Sequence, residues 1–166
     1  EQQYWKKGEK ILRQYLQTEF DSKIKPAFLE GSFVAPLKNS SRSLKIGGKI
    51  DRVDVLRDGS IEIIDYKTGA NVPTQKDVDS DLQMSFYALA ATILKESPFA
   101  KDPDEVKLSL YYFDTQQRVS TTRTADQLQE AITKIFDYAD QIAASDFKCS
   151  GSQLCKSCDF KMLCDL

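Results

Sequence analysis

The chain has 166 residues, of which 41% are hydrophobic, and a formal net charge of −2, so it is long enough for one domain with its own core. No apolar run approaches the roughly 20 residues that a membrane-spanning helix needs. The slightly acidic charge argues against a uniformly basic nucleic-acid module, although an acidic metal site would itself lower the sum. Basic residues could still follow a phosphate backbone locally, namely Lys45, Lys49, Arg52, Lys67 and Lys76.

Helices are predicted over residues 3–18, 80–96 and 125–144, and the first and the last have the apolar spacing of amphipathic helices. The first segment has an apolar face made of Tyr4, Trp5, Ile11, Leu12, Tyr15 and Leu16. The second is predicted to be capped by Asp79 or Ser80 and to end before Pro98. The third carries an apolar stripe that we expect to face the core.

Strands are predicted where Val, Ile and aromatic residues alternate with polar ones: residues 27–36, the hairpin arms KIGGKIDRVDVL and IEIIDYKTG, and residues 106–114 and 118–123. A loop over residues 69–79 follows the hairpin, because its Pro73 cannot continue a strand. This order of elements predicts an α/β fold with a central mixed β-sheet flanked by helices. We expect a single domain over residues 1–166.

The hairpin allows two registers. A two-residue loop at Asp58-Gly59 pairs Asp51 with Tyr66 and mixes polar and apolar groups on one face. A three-residue loop with Gly59 in the left-handed conformation gives one consistent face, on which Val55 opposes Ile61, Val53 opposes Ile63 and Asp51 opposes Asp65. We adopt the second register, because strand side chains alternate and Lys67 then shares that face.

This register predicts a metal site. Asp51 and Asp65 would repel each other across the strand pair unless a cation lay between them, and Mg²⁺ and Mn²⁺ prefer oxygen ligands of this kind. The backbone carbonyl of Tyr66 could add a third oxygen, while the ammonium group of Lys67 could offset charge on a phosphate. The alternative is a surface hairpin whose charged residues form weak, screened ion pairs.

Four segments in this order resemble the RecB-type PD-(D/E)xK nucleases. The two core motifs of that family are similar to residues 46–54 (IGGKIDRVD) and 63–69 (IIDYKTG). Residues 81–88 (DLQMSFYA) resemble its Gln-x-x-x-Tyr helix, and residues 29–33 (LEGSF) resemble the strand that precedes the core. The resemblance implies a restriction-endonuclease-like core.

The resemblance also implies roles for individual residues. Asp51 and Asp65 would be metal ligands, and Lys67 the catalytic lysine. Glu30 would be an accessory acid, Gln83 would orient the site or contact substrate, and Tyr87 would lie near the phosphate path. Three of these residues have structural alternatives: a strand-edge charge for Glu30, an exposed helical position for Gln83 and a core aromatic for Tyr87.

The implied activity is Mg²⁺- or Mn²⁺-dependent hydrolysis of DNA, of exonuclease type, in repair or recombination. The implied partners are DNA and helicase domains, with a UvrD-type helicase as the expected parent protein, and the implied location is cytoplasmic and nucleoid-associated. An alternative is a catalytically inactive DNA-binding or structural module of a helicase complex. A third possibility is a module that docks another protein through a cysteine-bound metal.

The chain departs from the family in containing no histidine, whereas RecB-type nucleases usually carry one on an upstream helix. The sequence opens at Glu1 within an amphipathic pattern, so we expect a fragment of a longer protein. Two explanations stay open: the histidine precedes Glu1, or this member lacks it. Both lead us to ask whether the isolated fragment is inactive.

All four cysteines fall in the tail over residues 147–166, at Cys149, Cys155, Cys158 and Cys164. Such clustering indicates a shared structural role. Two disulfides would suit a secreted protein, whereas four thiolates suit tetrahedral Zn²⁺ or a [4Fe–4S] cluster. The spacing resembles the iron–sulfur nucleases, such as AddB and the CRISPR adaptation nucleases, so we expect [4Fe–4S] with Zn²⁺ as the alternative. Cys149 departs from their pattern, in which the fourth cysteine lies far upstream.

Overall fold

The computed structural model describes residues 2–145, 151–159 and 161–163. The chain forms two compact units, residues 1–132 and residues 133–166. The prediction of a single domain over the whole chain therefore stays a prediction. The α-helices are α1 (Gln2–Thr18), α2 (Gln75–Asp79), α3 (Leu82–Ile93) and α4 (Ala125–Ala144), of which the last belongs to both units. Short 3₁₀ helices cover Pro103–Glu105, Gln153–Ser157 and Lys161–Leu163.

The first unit contains a five-stranded mixed sheet. Its strands are β1 (Phe28–Lys38), β2 (Ser43–Val55), β3 (Ile61–Lys67), β4 (Val106–Tyr112) and β5 (Gln117–Thr121), and they lie in sequence order. Neighbouring strands are antiparallel except β3 and β4, which are parallel. Helices α2 and α3 connect those two strands, as a parallel pair requires. The predicted mixed α/β sheet is confirmed.

The hairpin register is the one that the apolar pattern predicts. Val53 pairs with Ile63 and Val55 pairs with Ile61. A bond of 2.8 Å from the Leu56 N–H to the Ser60 carbonyl closes a three-residue loop, in which Gly59 has a φ of 87°. The ladder ends at Arg52 and Ile64, so Asp51 and Asp65 lie one position beyond it.

The core lies against both faces of the two parallel strands. The first five residues of β3 are all buried, and five of the seven residues of β4 are buried as well. Helix α3 covers one face, and its buried residues are Met84, Ser85, Tyr87, Ala88, Leu89, Ala90 and Ala91. Burial on both faces is what the central parallel strands of an α/β fold show.

Three local predictions are wrong. Residues 75–79 form α2 rather than loop, because Thr74 and Asp77 build a capping box that starts the helix. Helix α3 begins after Asp81, whose side chain accepts the N–H of Met84 at 3.0 Å, so neither Asp79 nor Ser80 is the cap. Arg52 is not part of a basic surface patch, since it is only 8% exposed and bonds Asp54 at 2.8 Å.

Helix α1 has the amphipathic pattern that the sequence predicts, but its described residues include none that is fully buried. Tyr4 and Trp5 are 82% and 80% exposed. Tyr15 of that apolar face is half-buried and contacts β3 and β4 through its aromatic ring. None of the helices in the described part of the chain is long and apolar enough to cross a membrane.

Candidate active site

The candidate site lies where paired positions of the neighbouring strands β1, β2 and β3 all carry acidic residues. In the β1–β2 ladder, Leu29 pairs with Arg52 and Gly31 pairs with Ile50, so Glu30 stands opposite Asp51. Continuing the β2–β3 register by one step brings Asp51 opposite Asp65. Three acidic residues of adjacent strands therefore occupy one row across the sheet.

Asp65 is the buried centre of the site, being only 4% exposed. Its Oδ1 accepts hydrogen bonds from the hydroxyl of Tyr87 at 2.8 Å and from Nε2 of Gln83 at 3.3 Å. Its Oδ2 lies 2.6 Å from Nζ of Lys67, yet the geometry does not make a hydrogen bond and no other described donor reaches this buried oxygen. Asp65 thus has one satisfied oxygen and one oxygen held by charge alone.

The side chains of Lys67, Gln83 and Tyr87 meet around Asp65. Lys67 Nζ donates to Gln83 Oε1 at 3.0 Å, and Gln83 Nε2 donates to the Tyr87 hydroxyl at 2.9 Å. Gln83 belongs to an exposed position of α3, but its side chain bridges the lysine and the carboxylate. Because residues i and i+4 share a helix face, α3 delivers Gln83 and Tyr87 together.

The Tyr87 hydroxyl is a hydrogen-bond donor at neutral pH. Burial raises the pKa of Tyr87, and the hydrogen bond to Asp65 raises it further. Asp51 shares its strand face with Val53, and Val53 pairs with Ile63, which shares its face with Asp65. The structure therefore brings Asp51, Asp65, Lys67, Gln83 and Tyr87 together.

Asp51 is tied to the backbone of β3. Its Oδ2 accepts the N–H of Tyr66 at 2.9 Å, which replaces the ladder hydrogen bond that would otherwise continue the strand pair beyond Arg52 and Ile64. The polar backbone of β3 is thereby satisfied while the two strands separate. This hydrogen bond fixes one carboxylate against the segment that bears the other.

Glu30 is turned toward Lys49 and not toward Asp65. Its carboxylate forms an ion pair with Lys49 Nζ, and both side chains are more than half exposed. The hydrogen bond to Glu30 raises the pKa of Lys49. Glu30 itself has a φ of 48°, a left-handed conformation that interrupts the β1–β2 ladder beside Asp51. An accessory role for Glu30 stays a prediction.

The residues present suit a hard divalent cation. The buried Asp65 Oδ2 makes no hydrogen bond among the described residues, although Lys67 lies beside it, so its lone pairs are available to a cation. The side chain of Asp51 offers a second carboxylate, and Tyr66 offers a backbone carbonyl. The described part of the chain has no group of three or more His, Cys, Asp or Glu side chains that could hold a metal. Any cation here would accordingly take few protein ligands, as Mg²⁺ often does.

The expected cysteine-bound metal is not found among the described residues. Cys149 and Cys164 lie outside them, which leaves Cys155, half-buried in a 3₁₀ helix, and the exposed Cys158 that follows it. The backbone N–H of Cys158 bonds the carbonyl of Cys155 at 3.4 Å. Two of the four proposed ligands thus lie close together in the chain.

A family model described as the PD-(D/E)XK nuclease superfamily matches residues 2–165. The chain belongs to this superfamily. Its members are usually metal-dependent nucleases that generally use Mg²⁺ or Mn²⁺, in agreement with the oxygen-rich site around Asp65. No curated protein matches the sequence.

Among 23 matching chains of solved structures is one titled "Crystal structure of SSO0001". It aligns with a TM-score of 0.52 and 17% sequence identity, over 93% of this chain. The chain spans 65% of the length of that structure. At this identity the likeness shows a shared fold, which is the fold of the superfamily domain.

The sequence analysis did not identify the residues that support this PD-(D/E)XK site from the opposite face of the sheet. Tyr15 of α1 bonds the hydroxyl of Tyr66 at 2.8 Å, and Arg52 lies within 3.4 Å of both hydroxyls. Alternation along β3 does place Tyr66 on the opposite face from Asp65 and Lys67. The alternation along β3 is visible in the sequence, but no pattern in the sequence identifies which helix covers the opposite face.

Proposed function

We propose that this chain is a metal-dependent nuclease domain that hydrolyses phosphodiester bonds in DNA. The observation that carries the proposal is the position of Lys67 beside a buried, incompletely satisfied Asp65, in a chain of the PD-(D/E)XK superfamily. A lysine beside the carboxylate offers a positive charge where a phosphate oxygen would gain negative charge. The Lys67–Asp65 pair differs from an ordinary surface ion pair because Asp65 is buried.

Each residue of the site supports one part of this reaction. Asp51, Asp65 and the Tyr66 carbonyl would hold Mg²⁺ or Mn²⁺, and the bound ion supplies Lewis-acid stabilisation of phosphate charge and activation of water. Gln83 holds Lys67 Nζ in place through a bond of 3.0 Å. In the net reaction, the oxygen of water bonds to phosphorus, one phosphorus–oxygen bond breaks, and the leaving sugar oxygen gains a proton.

The finer parts of the proposal rest on the resemblance to RecB-type nucleases. They are a DNA substrate, exonuclease action, a role in repair or recombination, and attachment to a UvrD-type helicase. The resemblance also supports a structural [4Fe–4S] cluster, or Zn²⁺, held by Cys149, Cys155, Cys158 and Cys164. Visible absorption and metal analysis of the purified 166-residue chain test the cluster, and a protein with neither iron nor zinc would contradict it.

The activity is tested with the 166-residue chain on single- and double-stranded DNA, with and without Mg²⁺ or Mn²⁺. We expect metal-dependent cleavage that Asp65→Asn and Lys67→Met each reduce by roughly a thousandfold, because the first removes a charge that would hold the metal and the second removes a positive charge beside the reacting phosphate. Matched controls are Asp104→Asn and Lys95→Met, which change the same residue types at exposed positions. Cleavage by Asp65→Asn at the control rate would refute the assignment, and DNA binding without any cleavage would favour the inactive module.

A further inference from the structure

We propose that Tyr15 of α1 and Tyr66 of β3 form a positioning pair, which sets the metal-binding geometry of Asp51 and of the Tyr66 carbonyl from the opposite face of the sheet. This inference rests on the proposed metal-dependent function. Neither tyrosine is assigned a catalytic role, since their side chains lie across the sheet from Asp65 and Lys67. The pair would act through the backbone of residue 66.

Tyr66 joins the two faces of the sheet. Its backbone N–H donates to Asp51 Oδ2 at 2.9 Å, and its carbonyl is the third oxygen of the proposed metal site. Its hydroxyl meets the hydroxyl of Tyr15 at 2.8 Å. Displacing the Tyr66 side chain would therefore displace a hydrogen-bond donor and a proposed ligand together.

The Tyr66 ring is packed against other aromatic rings on several sides. It stacks on Phe113 with a centroid distance of 5.3 Å and an interplanar angle of 26°, and it meets Tyr15 edge to face at 6.0 Å. Tyr111 adds an edge contact at 6.2 Å. Aromatic pairs at such distances stabilise one relative orientation, so the ring has a defined position.

Arg52 places a positive charge beside the two hydroxyls. The two hydroxyls lie 3.4 Å from Nη1 of Arg52, whose Nε is bonded to the buried Asp54 at 2.8 Å. Burial raises the pKa of Tyr15, as does the hydrogen bond to Tyr66. Tyr15 therefore keeps its hydroxyl hydrogen at physiological pH and remains able to bond the Tyr66 hydroxyl.

A second connection ties α1 to the same end of β3. Lys7 forms an ion pair with Asp114, and Asp114 Oδ2 accepts the N–H of Gly69 at 2.6 Å. Residue 69 follows Lys67 by two positions. Helix α1 thus reaches the segment that bears the proposed catalytic residues at two separate points, although its described residues are not deeply buried.

The test measures Mn²⁺ binding to the 166-residue chain by electron paramagnetic resonance, for Tyr15→Phe, Tyr66→Phe and the double variant. Phenylalanine keeps each ring and removes only the hydroxyl. We expect each single variant to weaken Mn²⁺ binding roughly tenfold, in the range of supporting residues around metal sites. The double variant should lose no more than a single one, because both hydroxyls belong to one hydrogen bond.

Tyr138→Phe is the control, since Tyr138 is half exposed on α4. This variant should bind Mn²⁺ with the affinity of the parent. Phe variants that bind Mn²⁺ within about twofold of the parent, or that lose affinity additively, would overturn the positioning role. If Tyr66→Phe does not fold, Tyr15→Phe decides alone, because it breaks the same bond from α1. A parent chain that binds no Mn²⁺ would overturn the proposed function as well, so the two failures are distinguishable.

Discussion

Tyr87 donates its hydroxyl hydrogen to Oδ1 of Asp65 at 2.8 Å, and both residues are only 4% exposed. The same hydroxyl lies 3.2 Å from the Lys49 carbonyl. One proton serves one acceptor at a time, and the shorter distance to a charged oxygen favours Asp65. Helix α3 is thereby fixed to β3 at the proposed metal ligand.

Replacing Tyr87 by Phe removes this hydrogen bond and keeps the ring. A hydrogen bond to a charged group contributes about 1.5–3 kcal/mol, so we expect urea unfolding to show a loss of about 2 kcal/mol. We also expect roughly tenfold weaker Mn²⁺ binding, because Tyr87 orients the ligand Asp65. Unchanged Mn²⁺ affinity at reduced stability would instead make Tyr87 a core aromatic only. The exposed Tyr4→Phe is the control.

The hairpin shows what the sequence can determine. Alternation of Val and Ile excludes the two-residue loop because that loop would place polar and apolar groups on one face, and Gly59 supplies the left-handed residue that the three-residue loop needs. Pattern and turn chemistry therefore agree, and the register follows. The sequence does not predict where the β2–β3 ladder ends. Alternation assigns residues to faces, but it contains no information about the bond from the Tyr66 N–H to Asp51.

Charged residues on strands show where sequence reasoning stops. Arg52 reads as a solvent-facing cation, but Asp54 two positions later shares its face of β2, and the two neutralise each other in a buried pair. The apolar residues of α1 predict a packed face, yet Tyr4 and Trp5 are exposed while Tyr15 makes the contacts. Periodicity gives the face of an element, whereas packing depends on what lies beside it.

Glu62 should make folding stability depend on pH. Burial raises its pKa, but the hydrogen bond from Ser109 at 2.5 Å and the charges of Arg118 and Lys107 outweigh burial, so the pKa lies below its usual 4.5. When folding lowers the pKa of a carboxylate, the carboxylate stabilises the folded protein at pH values above its pKa in the unfolded chain. This stabilisation is lost as the pH falls through its pKa in the folded protein. This loss therefore occurs below about pH 4.5.

The variant Glu62→Gln isolates that contribution. We expect it to lower the free energy of unfolding by about 2 kcal/mol at neutral pH, the scale of a charged hydrogen bond. The difference from the parent should shrink as the pH falls below 4.5, because the parent then becomes protonated too. Urea unfolding of both proteins across this range measures it. A difference that stays constant with pH would show that the charge of Glu62 adds nothing.

Two glycines should respond to alanine with opposite signs. A Cβ at Gly59 would meet no atom within 4 Å, but its φ of 87° is left-handed, so Gly59→Ala should cost about 1–2 kcal/mol through backbone strain alone. Gly8 has equal space within helix α1, so Gly8→Ala should stabilise by about 0.5–1 kcal/mol. Thermal unfolding of both variants compares them, and a neutral Gly59→Ala would contradict the turn geometry.

Arg123 is 3% exposed and joins the start of α3 to the end of β5. Its Nη2 donates to the carbonyls of Val78 and Asp81 at 2.9 and 3.0 Å. Its Nη1 donates to Thr121 Oγ1 at 3.0 Å, and its Nε donates to Ser85 Oγ at 3.0 Å. Burial lowers the pKa of Arg123, and these acceptors replace the water that it loses.

Arg123→Met should therefore lower the free energy of unfolding by about 3 kcal/mol or more, because it leaves several buried acceptors without donors. Arg123→Lys should fall between that variant and the parent, since an ammonium group cannot reproduce the planar fork of the guanidinium. Arg57→Met, on the exposed hairpin loop, removes the same charge without buried contacts and should stay within about 0.5 kcal/mol of the parent. Equal unfolding midpoints in urea for Arg123→Met and Arg57→Met would mean that the network around Arg123 contributes no net stability.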